Sequence, residues 1–476
     1  MFRRTFIYFA VFILGCHPIC SGQVKLTLAQ AIDSTLTRNL QIKKAQLDAT
    51  LSIENIKQSK NNLLPILTAS PQASANWGRT LDVSTYNYLT QRVLLMNGNL
   101  STQLILFQGG ILRNQIIQNK LLFQIDQSNI AKLRYDLTIS TVMAYVQILT
   151  DQDLLDAAQQ QIKIAKENVA KVQLGLTAGN KSVVDVSQAQ AQQAGAEYSA
   201  ATIQNQLEID WSTLKQLVQM PDMAIELHRP DLNKVSISDG YVDTVGLIEM
   251  ARLTNPDIRL ASLQTKAAYH AITIAKGALY PTISIFGSIG TSYSNARTLI
   301  TPPQQVGFDT VGVVGGTNQP VLSPALRSTS KKYAFFDQLA DNIYQSAGFS
   351  LQIPIFNHST ARVNIRKAKI MYNSALINQQ VAVDNMTRVL RLALSDLHTA
   401  QKRLEVAQKG FEAAKKLNAL SEKRYQAGLL NALDFNIAIT TYNRSEFDLI
   451  DAKYNLLFKR QVIDFYLGKP MTESGL

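Results

Sequence analysis

The sequence contains one pattern written twice. Ala31-Ile32, Asn39, Ile42, Ala45, Leu47, Ile56, Lys60 and Leu64-Pro65-Ile66 recur as Leu247-Ile248, Asn255, Ile258, Ala261, Leu263, Ile272, Lys276 and Tyr280-Pro281-Thr282, without a gap, 216 residues on. Farther along the offset is 249. Ser101, Gln103, Phe107, Arg113 and Ile116 return as Ser350, Gln352, Phe356, Arg362 and Ile365. Ala178-Gly179 returns as Ala427-Gly428, Asp185 as Asp434 and Pro221 as Pro470. Self-similarity on this scale sets the architecture before any single motif does. It divides the chain into repeats at 23–221 and 242–470, a linker at 222–241 and a tail at 471–476. The change of offset places 33 extra residues between Pro281 and Phe356 of the second copy.

Each copy reads as helix, strand, strand, long helix, helix. Thr27-Leu28-Ala29-Gln30 is a capping box that opens the first helix. That helix is expected to run unbroken to about Leu63, ahead of Pro65. The pattern then switches to period two. Leu67, Ala69, Ala73, Ala75 and Trp77 alternate with Thr68, Ser70, Gln72, Ser74 and Asn76. In the second copy Ile283, Ile285, Ile289 and Tyr293 alternate with Thr282, Ser284, Ser288 and Ser292. Partner strands are expected over Leu100–Phe107 and Phe349–Ile355. Alternation of this kind gives one apolar and one polar face.

From Ile111 to Leu174 there is no Pro and no Gly, enough for a helix of about 96 Å. Ile116, Phe123, Ile130, Leu137, Ala144, Ala158, Ala165 and Val172 share one heptad position. A period of 3.5 residues implies side-by-side coiled packing. Gly179 ends this helix, and Ser182-Val183-Val184-Asp185 starts another that ends near Pro221. The shorter helices, about 55 Å each, laid end to end match the long one.

Composition enters where export and chemistry are decided. Arg3-Arg4 followed by the apolar run Phe6–Leu14 reads as a secretory leader, residues 1–22. Two processing routes stay open. One is cleavage near Gly22–Gln23. The other is lipidation of Cys16 in Ile13-Leu14-Gly15-Cys16, where bulky Leu14 argues for the first route. Cys16 and Cys20 are the chain's two cysteines. The body therefore has no disulfide framework, thiolate metal site or thiol nucleophile. Five scattered histidines show no ligand spacing, and the sequence implies no metal, cofactor or catalytic residue. Gly312-Val313-Val314-Gly315-Gly316 lacks the spacing and the Lys-Ser/Thr of a phosphate loop. The net charge of +12 is spread along the chain and not gathered in a patch with interleaved aromatics, so charge alone says little about partners, and no nucleic-acid partner is expected.

Four amphipathic strands of about 9–11 residues have the length of membrane β-strands. Four cannot close a barrel, and an open edge cannot sit in lipid. Several chains would have to pool their strands. Mean hydropathy of −0.03 does not register such a wall, because its apolar residues occupy every second position. The rival reading is a periplasmic coiled-coil rod with a structural or interaction role and two soluble hairpins.

The chain resembles the TolC-type outer membrane efflux proteins over almost all of its length. The resemblance rests on Leu26-Thr27-Leu28-x-x-Ala31-Ile32 with Asn39, and on Leu64-Pro65 and Tyr280-Pro281. It rests also on Leu106-Phe107-Gln108-Gly109-Gly110 and Ile353-Pro354-Ile355-Phe356-Asn357, where strand meets long helix. Leu176-x-Ala178-Gly179 with Asp185, and Arg424-Tyr425-x-Ala427-Gly428 with Leu433-Asp434, complete it. It implies a mainly α protein with a membrane β-barrel, built as a homotrimer in the outer membrane. Twelve strands would form the barrel, in contact with lipid. Twelve antiparallel coiled helices would form an α-barrel tunnel across the periplasm. The implied work is passive export in a tripartite efflux pump or type I secretion system. A periplasmic adaptor and an inner-membrane transporter of RND or ABC type would be its partners.

The resemblance further implies that the turns at Gly179 and Gly428 form the periplasmic tip and meet the adaptor, and that Asp185 and Asp434 ring the entrance. The spacing of Ser182/Asp185 and Asn431/Asp434 also fits helix caps. Gln188 and Ile437 stand where a second acid would reinforce a ring, which argues against a strong one. Lys402, Arg403, Lys409, Lys415, Lys416, Lys423 and Arg424, against three glutamates, leave +4 before the second turn, whereas the matching stretch 153–175 is neutral. Lys415 and Lys416 are thus candidate adaptor contacts, against a plainer reading as a solvated helix face. The insertion, within 294–345, is expected to be an external surface loop.

Overall fold

A computed structural model describes residues 24–82, 86–90, 92–221, 224–229, 246, 249–250 and 255–466. The leader with Cys16 and Cys20, most of the linker, Leu247-Ile248, Pro470 and the tail lie outside the described residues. The fold is mainly helical with antiparallel sheet. Strand β1 (Val24–Leu26) and helix α1 (Leu28–Arg38) lead into α2 (Leu40–Asn61). Then come β2 (Ile66–Asn76), the small hairpin β3 (Arg79–Asp82) and β4 (Asn87–Thr90), and β5 (Val93–Gln108). Helices α3 (Ile111–Thr177) and α4 (Val183–Val218) and strand β6 (Ile225–Leu227) follow. Next are α5 (Pro256–Gly277), β7 (Thr282–Ser294), β8 (Thr298–Ile300), β9 (Gln304–Val313), β10 (Pro320–Arg327) and β11 (Ser330–Lys332). Short helix α6 (Phe335–Asp341), β12 (Tyr344–Gln352), α7 (Thr360–Gln426) and α8 (Ala432–Tyr466) complete the order. No described helix is long and apolar enough to cross a membrane.

Five expectations need correction. The first helix is broken at Asn39, whose extended backbone (ψ 128°) ends α1, while its side chain accepts from Gln41 N at 2.9 Å. Asn255 does the same for α5, accepting from Asp257 N at 2.8 Å with Pro256 as first helical residue. The repeated asparagine is thus a helix start. Strand β5 begins seven residues earlier than expected, at Val93. Strand β12 ends at Gln352, before Pro354, which has no N–H to give a ladder. The insertion is not bare loop: it holds four short strands and a helix. The expected linker also contains a strand, β6, paired in parallel with β1.

The chain divides into two units. One comprises the residues up to Ser52, Leu121–Lys266 and those from Asn373 onward. Its core gathers Leu28, Val142, Ile148, Leu149, Leu214, Val218 and Leu457, all fully buried. Each such side chain contributes about 1.5–3 kcal/mol by leaving water. Tyr145 donates to Leu26 O at 3.1 Å and His228 O at 2.9 Å, fastening the β1–β6 pair to α3. The helices α3 and α7 are both 67 residues long.

The other unit comprises Ile53–Lys120 and Ala267–Tyr372. It holds a four-stranded antiparallel sheet in the order β12-β7-β5-β2. Gly109 and Gly110 (φ +55° and +74°) turn β5 into α3. A Cβ on Gly109 would collide with the backbone of Gly277, so glycine permits that close approach. Beyond Gly290 strand β7 outruns β12, and side chains from α6 and its C-cap continue the ladder. Asn342 donates to Ser292 O at 2.7 Å. Fully buried Gln338 accepts from Ser294 N and donates to Ser294 O, both at 3.1 Å.

Candidate functional site

The register of the sheet sorts its side chains into two faces. Thr68, Ser101, Ser288 and Ser346 stand opposite one another across all four strands, and the Ser288 and Ser346 hydroxyls lie 2.7 Å apart. Ser70 and Asn99, with Gln72, Asn97 and Ser292, form neighbouring rows on the same face. Phe286 interrupts it, its ring lying over Gly348 where a Cβ would meet it at 2.9 Å. The opposite face carries Ala69, Leu100 and Ile289 in one row and Leu104, Ile285 and Phe349 in another. One wall therefore offers hydroxyls and amides to water and hydrocarbon to the other side. Strands β2 and β12 leave the two outer edges of this sheet unpaired among the described residues.

In the helical unit, Gly179 and Gly428 occupy equivalent turns with φ +76° and +72°. After α3, Asn180 N bonds Gly175 O at 2.8 Å and Gly179 N bonds Leu176 O at 3.0 Å. After α7, Leu429 N bonds Arg424 O at 2.8 Å and Gly428 N bonds Tyr425 O at 3.1 Å. These are the paired bonds of a left-handed helix stop. Ser182 N donates to Asp185 Oδ2 at 2.8 Å while Asp185 N donates to Ser182 Oγ at 3.2 Å. Hydrogen bonds from the Ser182 backbone and hydroxyl hold the Asp185 carboxyl below the usual carboxylate range. Asn431 and Asp434 repeat the arrangement, at 2.8 Å for the backbone bond and 2.9 Å between side chains. Both carboxylates thus sit at helix starts, with the helix dipole favouring their charge.

The structure adds a link between the two turns that the sequence reading missed. The Lys181 ammonium lies 3.8 Å from the centre of the Tyr425 ring. Tyr425 stacks on Phe435 at 4.7 Å and 12°. A cation over an aromatic face contributes about 0.5–2 kcal/mol. Arg424-Tyr425 belongs to the resemblance, but no spacing rule pairs it with Lys181.

The basic stripe before the second turn is partly neutralised. Lys409 and Lys402 meet Glu405 at 2.8 and 3.4 Å, and Arg403 meets Asp451 at 2.8 Å. Lys415 and Lys416 are exposed and form no ion pair among the described residues. Lys415 lies 5.9 Å from the Phe411 ring and faces the Glu446 carboxyl, and both lysines sit in the last quarter of α7, ahead of exposed Lys423 and Arg424.

The heptad seam of α3 carries a residue the sequence reading passed over. Asp151 occupies the register of Ala144 and Ala158 and is only 4% exposed. Gln147 donates to its Oδ1 at 3.1 Å, while Oδ2 meets no donor among the described residues. Burial, and after it the facing Asp210 carboxyl on α4, push Asp151 up to about 7. Gln206 donates to both oxygens of Asp210 at 3.2 Å, and the raised Asp151 carboxyl is the one that keeps a proton toward neutral pH. The readable signal was a charged residue on an otherwise apolar period.

A sheet with one polar face and two open edges, joined to paired 67-residue helices with capped turns, defines a channel-type outer-membrane protein. The chain belongs to the outer membrane efflux protein family, whose model matches residues 31–218 and 247–469. It is similar to the outer membrane efflux protein BepC of Brucella suis, 21% identical over 460 residues, covering 94% of this chain and 88% of that one. It is also similar to the toxin and drug export protein A of Aggregatibacter actinomycetemcomitans, 20% identical over 439 residues, covering 90% and 83%. Among solved structures, the outer membrane protein VceC of Vibrio cholerae shares the fold at a TM-score of 0.72 and 15% identity, covering 94% of this chain and 97% of that one. The chain is an outer-membrane protein of an efflux family, which sets aside the coiled-coil rod.

Proposed function

We propose that three copies of this chain form the passive exit duct of a tripartite efflux pump or type I secretion system. The carrying observation is the four-stranded sheet with one hydroxyl-lined face and two unpaired edges. Lipid offers no partner to an open edge, and about eight strands are the least that close a barrel. Three sheets joined β12 to β2 make a closed wall of twelve strands with polar rows inward and apolar rows toward lipid. The repeats at 23–221 and 242–470 then supply two helical hairpins per copy to the tunnel. The turns at Gly179 and Gly428 are its periplasmic tip, with Asp185 and Asp434 as charges at the entrance. The exposed pair Lys415 and Lys416 supports a docking role toward a periplasmic adaptor, which couples the duct to an inner-membrane transporter. The protein performs no chemistry on its cargo.

Single-channel recording in planar bilayers tests this reading. The full chain is expected to give stepwise conductance from a detergent-resistant oligomer; a non-conducting monomer contradicts it. Asp434→Ala is expected to shift the reversal potential in a salt gradient toward weaker cation preference. An unchanged potential removes Asp434 from the entrance. Reversing Lys415 and Lys416 to Glu is expected to lower capture of the adaptor severalfold, and undiminished capture removes them from the interface.

A further inference from the structure

The insertion between β7 and β12 forms a two-stranded ribbon. Its stem pairs Thr298 with Lys332 and Ile300 with Ser330, and Thr301 N bonds Thr329 O at 2.9 Å. Its upper part is β9 on β10, closed by a turn in which Val314 N bonds Gln319 O at 2.9 Å. From Thr298 to Val313 the ribbon spans about 50 Å at 3.3 Å per residue. It leaves the sheet at the end opposite the one from which α3 and α7 start.

Residues paired across an antiparallel ladder share a face, so the register fixes what each side carries. One face gathers Val313, Pro320, Leu322, Phe308, Pro324 and Leu326, interrupted by Thr310 and Gln305, the partners of Leu322 and Leu326. The other carries Gly307, Gly312 and Ser323 with Val321 and Ala325, and Asp309 and Arg327, the two charges of β9 and β10; Lys331 and Lys332 lie in the stem. The chain covers part of the polar face, where Ala325 is 7% exposed. It leaves the apolar face bare, with Val313, Phe308, Leu322 and Leu326 at 62, 61, 54 and 62% exposure. An isolated two-stranded ribbon is marginal in water, and a long uncharged apolar one is a template for association.

We infer that this apolar face is an interface between copies of the chain, three ribbons packing on one another above the pore mouth. The inference rests on the trimeric duct proposed above. Two observations select a second copy as the occupant. The face carries no charge, so identical faces meet without repulsion, while a phosphate-bearing partner would find no cation on it. The ribbon is also rooted through α6 beside β12, the edge strand that meets the next copy in a closed barrel. The interface between ribbons thereby continues the interface between sheets. Prolines 320 and 324 on β10 give no N–H to an added strand, which favours contact through the face over pairing along the edge. Such a collar would narrow the external mouth and couple the ribbons of one duct.

Cysteine cross-linking of the full chain on intact cells tests this. Leu322→Cys and Phe308→Cys place a thiol on the apolar face, Ser323→Cys on the other; the unsubstituted chain sets the background. With a short bis-maleimide, the two apolar-face variants are expected to give a chain-to-chain band at least fivefold stronger than Ser323→Cys. Trimer formation is scored on the same samples by unheated electrophoresis. Trimers whose apolar-face variants cross-link no better than Ser323→Cys overturn the inference and leave the duct reading standing. Absence of trimers overturns both. Apolar-face thiols shielded from a soluble maleimide yet not cross-linked assign the face to lipid or a foreign protein, and also overturn it.

Discussion

The hairpin α3–α4 and the hairpin α7–α8 have nearly equal lengths, 67 and 36 residues against 67 and 35, and the same left-handed stop and acidic cap. Their seams differ. Buried Asp151 and the half-buried Asp210 that faces it stand where the second has Ala400 and Lys459 at the offset of 249. Ala400 packs among Leu404, Ala452 and Leu456, and Lys459 reaches Asp396 at 2.6 Å. Leu149, fully buried in the first, corresponds to exposed His398 in the second. The duplication kept the turns, whose backbone geometry tolerates few residues, and let the seams diverge into one with a raised, buried carboxyl and one with an ion pair.

Substitutions at matching positions separate the two hairpins. Leu149→Ala should cost about 2–5 kcal/mol, while His398→Ala should stay within about 0.5 kcal/mol. Thermal unfolding of the detergent-solubilised protein measures both, and equal losses would make the hairpins equivalent. The seam comes next. The folded protein holds the Asp151 proton up to about pH 7, whereas the unfolded chain releases it at the ordinary carboxylate value of 3.8. The folded state therefore binds the extra proton between those values, and stability falls as pH rises through that window. Asp151→Asn keeps the shape of the neutral carboxyl and removes the titration. It should flatten the pH dependence of hydrogen exchange in α3–α4 and stabilise the protein above pH 7 by on the order of 1 kcal/mol. A slope identical to that of the unsubstituted chain would dismiss the pair.

Where strand meets long helix, the copies also part. The left-handed turn held by Gly109-Gly110 is taken in the second copy by His358 and Ser359, at φ +54° and +59°. His358→Gly should relieve about 1 kcal/mol, and Gly109→Ala should cost more because of the Gly277 backbone. Thermal unfolding in detergent separates these, and a His358→Gly variant no more stable than its parent would show that the turn is unstrained. The smallest effect belongs to the link between tips. Lys181→Leu, which copies the second turn's Leu430, should remove about 0.5–1 kcal/mol of attachment to Tyr425. It should also lengthen the open time of single channels; unchanged open times would make the contact incidental.

Much of this was legible in the sequence. Thr27-x-x-Gln30, the two Ala-Gly stops and the alternation through Ser284 and Ser288 are local rules, and the structure obeys them locally. The break at Asn39 was not legible, because an asparagine inside an apolar period is compatible with both a helix interior and a new N-terminus. The start of β5 was hidden because Val93-Leu94-Leu95-Met96 lacks alternation. Lys181 on Tyr425 joins residues 244 positions apart and follows from no period. The amphipathic ribbon was hidden by its bulges: register shifts at Val321/Leu322 and Ala325/Leu326 displace β9 against β10 and blur the period-two pattern.

The duct exists only if four strands from each chain are pooled into one closed wall. The number of chains in the conducting particle tests that most directly. Native mass spectrometry of the detergent-solubilised, conductance-competent protein should give three. A single chain, or any number other than three, would contradict it.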